Sequence, residues 1–183
     1  LKTVTVTGGE ILHGAFQNCS GLTEIILPNR ITEIASNALS GCAKLEALTI
    51  PNGVISIGDH AMKGCASLTE ITIPESVTGI GLGAFSDCTN LSTVNYNAPN
   101  CARIGSEEDP VFQNCSALKT VNIGAQVKKI PTYAFYGCTG LENLTIPNHV
   151  TEIGGFAFKG CASLTEITIP ASVTSIDDYA FAS

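Results

Sequence analysis

A β solenoid of short tandem units is the fold class this sequence predicts, and three observations carry that prediction. A pattern of 23 residues recurs from one end of the chain to the other. Within each unit a short apolar alternation runs into proline, which is how a half-buried strand is written and stopped. What is left between those alternations is too short for more than a turn or a single helical turn. The stretch from Cys65 to Asp87, CASLTEITIPESVTGIGLGAFSD, matches Cys161 to Ser183, CASLTEITIPASVTSIDDYAFAS, at 16 of 23 positions. Units so short cannot bury an apolar face alone, so they are expected to stack into one continuous core.

Aligned on their opening cysteine, the units start at Cys19, Cys42, Cys65, Cys88, Cys115, Cys138 and Cys161, with a step of 23 residues everywhere except 27 between Cys88 and Cys115. A partial unit, residues 1–18, precedes them and keeps Leu1, Val4, Val6, Ala15 and Phe16. The chain therefore divides into one domain over residues 1–183, with a long unit at residues 88–114. Its ends cut through the repeat, which leads us to expect a piece of a longer protein.

Taken in order, each unit opens on cysteine, and Leu22, Leu45, Leu68, Leu91, Leu118, Leu141 and Leu164 follow three residues later. The L-x-x-I-x-I segment is the first strand, closed in five units by Pro28, Pro51, Pro74, Pro147 and Pro170. Equivalent strands stacked in parallel lie roughly 4.8 Å apart, so eight of them are expected to form a sheet on the order of 34 Å long. A second extended piece, V-x-x-I, follows as in Val77 and Ile80, and the A-F-x-x-C segment turns the chain back.

Composition limits the function classes. With 44% apolar and 14% charged residues the chain can fill a core, and it has no apolar run long enough to span a membrane. The net charge of −7, without a Lys or Arg cluster, argues against a nucleic-acid or anionic-membrane surface.

The complete unit carrying Leu68, Ile71, Ile73, Pro74, Val77, Ile80, Ala84, Phe85 and Cys88 resembles the BspA-like leucine-rich repeats, also called the Treponema pallidum type. The resemblance covers essentially the whole chain. It implies a leucine-rich-repeat right-handed superhelix with the parallel sheet on the concave face and turns and short extended segments on the convex face. It also implies a bacterial cell-surface or secreted protein, no catalytic residues, and adhesion or protein binding as the activity; no cofactor is expected.

Seven of the eight cysteines share one repeat position, so their Cβ atoms stack in parallel, a poor geometry for a disulfide. No two of them are nearer than 23 residues, unlike a C-x-x-C metal site. Buried free thiols are the favoured reading. Cys101 stands outside that column and takes the place of the valine seen as Val77 and Val173, so it is expected in the core.

Two polar columns make the candidate ligand-binding face. One is Thr5, Ile26, Thr49, Thr72, Asn95, Asn122, Thr145 and Thr168; the other is Thr3, Glu24, Ala47, Glu70, Thr93, Thr120, Asn143 and Glu166. The exposed side of a solenoid sheet commonly binds partners, yet cross-strand threonine pairs also stabilise a sheet by roughly 0.2–1 kcal/mol each without any ligand. A third column, two residues before the repeat phenylalanine, carries Tyr133, Phe156 and Tyr179, with His60 earlier and Gly14, Asn37, Gly83 and Pro110 elsewhere. Such a stripe either seals the turns or offers a stacking platform to a sugar or an aromatic-rich partner.

The four extra residues of the long unit fall within NAPNCARIGSEEDPV, residues 97–111, where Glu107, Glu108 and Asp109 stand in a row. A calcium role lacks the D-x-D-x-D-G spacing, and a solvated loop is favoured. The histidines 13, 60 and 149 fall at different repeat positions, and no nucleophile motif or phosphate loop occurs. The expected function is a non-catalytic module binding a protein, such as a host or extracellular-matrix component. The alternatives are a glycan-binding module using the aromatic stripe and a passive spacer displaying another domain.

Overall fold

The computed structural model describes residues 1–183 as a solenoid of thirteen short strands without a helix. In chain order they are β1 (Thr3–Thr5), β2 (Glu24–Ile26), β3 (Glu33–Ile34), β4 (Ser56–Ile57), β5 (Glu70–Ile73), β6 (Gly79–Ile80), β7 (Thr93–Tyr96), β8 (Arg103–Ile104), β9 (Thr120–Ile123), β10 (Lys129–Ile130), β11 (Asn143–Leu144), β12 (Glu152–Ile153) and β13 (Ser175–Ile176). Every pairing is parallel and joins residues at the same repeat position, as in Thr72 with Asn95 and Ile57 with Ile80.

The first-strand row is not the single eight-stranded sheet expected from the repeat. It consists of β1–β2, a lone bridge from Glu24 to Ala47, and a four-stranded sheet β5–β7–β9–β11. No strand pairing links Ala47 to Glu70 or Asn143 to Glu166. The first gap coincides with Ala47, a poor strand former where every other unit carries a polar residue. The second extended piece is more regular than the sequence suggests. It forms a sheet of its own in two blocks, β3–β4–β6–β8 and β10–β12–β13.

The turns form a third ladder, and it carries much of the structure: of 99 backbone hydrogen bonds only 14 lie inside strands. In the turns at six of the seven unit junctions, three amides of one unit donate to carbonyls of the next. Phe85 N–H donates to Val111 at 2.9 Å, and Phe135 N–H donates to Ala157 at 2.8 Å.

One core of 49 residues runs through the solenoid. The repeat leucines are buried from Leu22 to Leu141, and the phenylalanine column reads Leu39, Met62, Phe85, Phe112, Phe135, Phe158, all fully enclosed. From Phe85 to Phe181 the rings are stacked at centroid distances of 5.3–5.8 Å and interplanar angles of 9–17°, a geometry worth about 0.5–1.5 kcal/mol per pair beyond area burial. Phe135→Ala is expected to lower stability by about 3–5 kcal/mol. Phe85→Leu, which copies Leu39 of the same column, should cost about half as much. Urea unfolding followed by circular dichroism measures both.

Candidate functional site

The central sheet brings part of the predicted polar face together. In β5, β7, β9 and β11 the outward residues align as Glu70, Thr93, Thr120 and Asn143 in one row and Thr72, Asn95 and Asn122 in the next. Asn95 Nδ2 donates to Glu70 Oε1 at 2.6 Å and to Thr72 Oγ1 at 3.2 Å, and Asn122 Nδ2 donates to Asn95 Oδ1 at 2.8 Å. The side chains are thus held in fixed rotamers by each other. Glu24 and Ile26 lie apart on β2, with Ile26 exposed, while Thr49, Thr145, Glu166 and Thr168 fall outside any strand.

The third column has a backbone cause invisible in composition. Gly14, Asn37, His60, Gly83, Tyr133, Phe156 and Tyr179 all adopt left-handed backbone, with φ between 51° and 63°. Pro110 occupies the same repeat position, and its ring locks φ near −65° and removes the N–H. The turn ladder opens at this point. At the other six junctions all three rungs form, for example from His60, Met62 and Gly64 to Leu82, Ala84 and Ser86. Between the long unit and the next one none does. The amides of Phe112 and Asn114 make no hydrogen bond in the protein, and the carbonyls of Thr132, Ala134 and Tyr136 accept none. The second sheet breaks at the same junction, between β8 and β10, so the first sheet and the core carry the join. Phe112 and Phe135 remain stacked, at the widest spacing in the column, 5.8 Å. Tyr96, buried where the preceding unit has Ile73, stands edge-on to Phe135 at 5.9 Å. A cleft of about 550 Å³ flanks the open junction, with Thr89, Glu107, Gln113, Asn114, Tyr136 and Thr139 among its walls.

The aromatic stripe and the acidic insertion, separate in sequence, meet beside this cleft. Tyr133, Phe156 and Tyr179 are stacked face to face at 5.1 and 5.2 Å. Lys159 Nζ lies 5.1 Å from the Phe156 ring and 5.9 Å from Tyr179. Glu107 reaches over both following units: its Oε1 accepts from Tyr136 Oη at 3.1 Å and Lys159 Nζ at 3.3 Å. That hydrogen bond raises the affinity of the Lys159 amine for its proton. Asp109 turns the other way and pairs with His60 Nε2 at 2.8 Å. Gly83 lies between those two, and a Cβ there would come within 2.5 Å of the Asp109 carboxylate and 2.8 Å of the His60 ring. The insertion is therefore a tied loop rather than a freely solvated one, with Glu107 and Asp109 committed in opposite directions. No group of three or more His, Cys, Asp and Glu side chains converges as metal ligands.

All eight cysteines are free thiols, and all but Cys19 are buried. Cys101 sits in the core as the valine replacement, its thiol donating to the Arg103 carbonyl at 3.3 Å. In the repeat column the thiols of Cys42, Cys65, Cys88, Cys115 and Cys161 each reach a carbonyl at the phenylalanine position of the neighbouring turn, as Cys65 to Leu39 at 3.4 Å and Cys115 to Phe85 at 3.1 Å. The equivalent bond from Cys138 to Phe112 is missing, at the open junction. Burial pushes the Cys42 thiol up to about 11 and the Cys161 thiol to about 12, and raises those of Cys65, Cys101 and Cys138 as well.

Stacked parallel strands, a leucine-lined core and a 23-residue step define this molecule as a leucine-rich-repeat solenoid. The chain belongs to the family of the BspA type leucine rich repeat region, whose model matches residues 4–108 and 108–183 in six copies. It is similar to a solved leucine-rich repeat protein of T. pallidum, with 31% identity and a TM-score of 0.72 over 90% of this chain and 78% of that one. A leucine-rich cell surface protein from Faecalibacterium prausnitzii is 29% identical with a TM-score of 0.51, over 100% of this chain and 57% of that one. A leucine-rich repeat protein from Eubacterium ventriosum is 26% identical with a TM-score of 0.52, over 95% and 46%. The chain thus spans about half the length of the last two. Comparison with curated protein sequences finds no match.

Two outcomes are expected. In native-state hydrogen exchange the amides of Phe112 and Asn114 exchange at least about tenfold faster than those of Phe85, Asp87, Phe135 and Gly137, which are paired at the same positions; two-dimensional NMR after transfer to heavy water reads this. For the thiols, the folded state holds protons that the unfolded state releases above the ordinary thiol value of 9.0. Their contribution to stability is therefore complete below that value and lost as pH rises toward 11–12. Thermal midpoints should fall over that alkaline window, while thiol-directed labelling near neutral pH modifies Cys19 alone until denaturant exposes the rest.

Proposed function

We propose that this chain is a non-catalytic protein-binding module of a bacterial cell-surface or secreted protein, with the central sheet as its binding face. The observation that carries the reading is the preformed polar lattice of Glu70, Thr72, Asn95 and Asn122. Side chains already fixed by mutual hydrogen bonds lose little freedom when a partner binds, so contacts of modest strength add up. Membership of the BspA type family and the likeness to a protein described as a cell surface protein support an extracellular setting. No helix is long and apolar enough to cross a membrane.

The partner class is a protein, of host or extracellular-matrix origin, recognised through hydrogen bonds to the Glu70 and Thr93 rows and the Thr72, Asn95 and Asn122 row. The face lacks aromatic and Arg anchors, which points to many small contributions rather than a few dominant ones. Stacking of a sugar on Tyr133, Phe156 and Tyr179 is a weaker reading, because these rings already occupy one another's faces.

Immobilised protein is exposed to a panel of host-surface and matrix proteins and binding followed by surface plasmon resonance. Glu70→Lys, which removes the acceptor of Asn95 and inverts a charge in the middle of the face, should weaken the bound partner at least about tenfold. Unchanged affinity in Glu70→Lys together with Asn122→Ala sinks the assignment of this face, and absence of any partner across the panel favours a spacer.

A further inference from the structure

We propose that the cleft beside the long unit is a binding site for a neutral saccharide, separate from the polar sheet. Its volume of about 550 Å³ suits a small ligand of one or two sugar rings. The walls supply the chemistry that recognises hydroxyl groups. The side chains of Thr89, Gln113 and Thr139 are exposed there and have no hydrogen-bond partner in the protein. Behind them lie the free N–H of Asn114 and the free carbonyl of Tyr136, left open where the turn ladder fails. Each hydroxyl of a sugar both donates and accepts, so a mixed set of amide, hydroxyl and backbone groups satisfies it where a set of one kind would not. Tyr136 adds the one aromatic side chain among the lining residues.

The same walls disfavour other ligands. The one charged lining group, Glu107, is neutralised by Lys159 at 3.3 Å, so the cleft offers an anion no cation of its own and a metal no cluster of carboxylates. An extended peptide would need an apolar pocket for an anchoring side chain, and two of the ten lining residues are hydrophobic. The location is also singular. Six junctions of the solenoid close all three turn rungs, and this one leaves the Asn114 N–H and the Tyr136 carbonyl unpaired at the wall of the cleft. Unpaired backbone groups are costly when shielded from water and are normally matched by some partner. A polyhydroxylated ligand bridging the two units supplies one.

The test uses the whole 183-residue chain, fluorescently labelled, on a printed array of mammalian and bacterial glycans. Binding to neutral glycans is expected, and Gln113→Ala combined with Thr139→Val should lower it about tenfold, the loss of two hydrogen bonds. Because these side chains bond to nothing in the protein, the double variant keeps the wild-type thermal midpoint; Thr89→Ala gives an independent second variant. Glu70→Lys should leave glycan binding unchanged, which separates this site from the protein-binding face. No binding to any glycan, binding confined to sialylated or sulfated glycans, or binding that survives the double variant and Thr89→Ala overturns the proposal. Loss of binding in Tyr179→Ala with both cleft variants unaffected would also overturn it, by moving the site to the aromatic stripe.

Discussion

Hydrogen bonds between equivalent backbone groups of successive units are the constraint on which this structure depends. A 23-residue turn has too little apolar surface to stand alone, so each unit must satisfy both its core and its backbone polarity through its neighbours. Two conditions follow: every unit must keep the same path, and every position of that path must tolerate the same dihedral angles in all units. The second condition explains why small and amide side chains recur before the cysteine. Asn18, Gly41, Gly64, Asp87, Asn114, Gly137 and Gly160 all have φ between 59° and 76°, and Gly, Asn and Asp reach that region at least strain.

The other left-handed column relaxes the rule in an informative way. Tyr133, Phe156 and Tyr179 are bulky residues in a backbone region that disfavours them. Their mutual stacking, with Lys159 alongside, offsets that strain and keeps the C-terminal turns in register. Pro110 cannot follow at all. The consequence reaches well beyond one residue: three turn rungs, a thiol bond and a second-sheet pairing are missing at the same junction. What holds the two halves there is the four-residue pairing of β7 with β9, the continuous ring stack, Tyr96 packed on Phe135, and the Glu107 tie to Lys159. The longest unit, the proline, the acidic loop and the cleft thus belong to one structural event.

Placing function on such a scaffold depends on which side chains the repeat leaves free. Core positions are fixed by stacking, and the cysteines among them are shielded thiols whose burial suppresses ionisation. The outward rows of the central sheet and the walls of the open junction are where one unit differs chemically from the next, and both proposed sites lie there. The sheet offers a rigid lattice; the junction offers groups without partners.

The sequence by itself determined the unit length, the single solenoid, the parallel stacking, the burial of the cysteine, leucine and phenylalanine columns and the family, because each follows from a period that every unit must share. Tertiary structure decided how far the strands extend. The hexapeptide TEITIP occurs at residues 69–74 and again at 165–170; the first copy contains β5, and the second is no strand, since only the first finds a paired neighbour in β7. Nor could the repeat pattern reveal that Glu107 would reach Lys159, 52 positions away, or that Asp109 would reach His60 across Gly83. One signal for the cleft was present: a proline at a position where every other unit takes positive φ. It becomes legible only once the backbone angles of that column are known, because a pattern of residue types records what a position accepts and not the dihedral it demands.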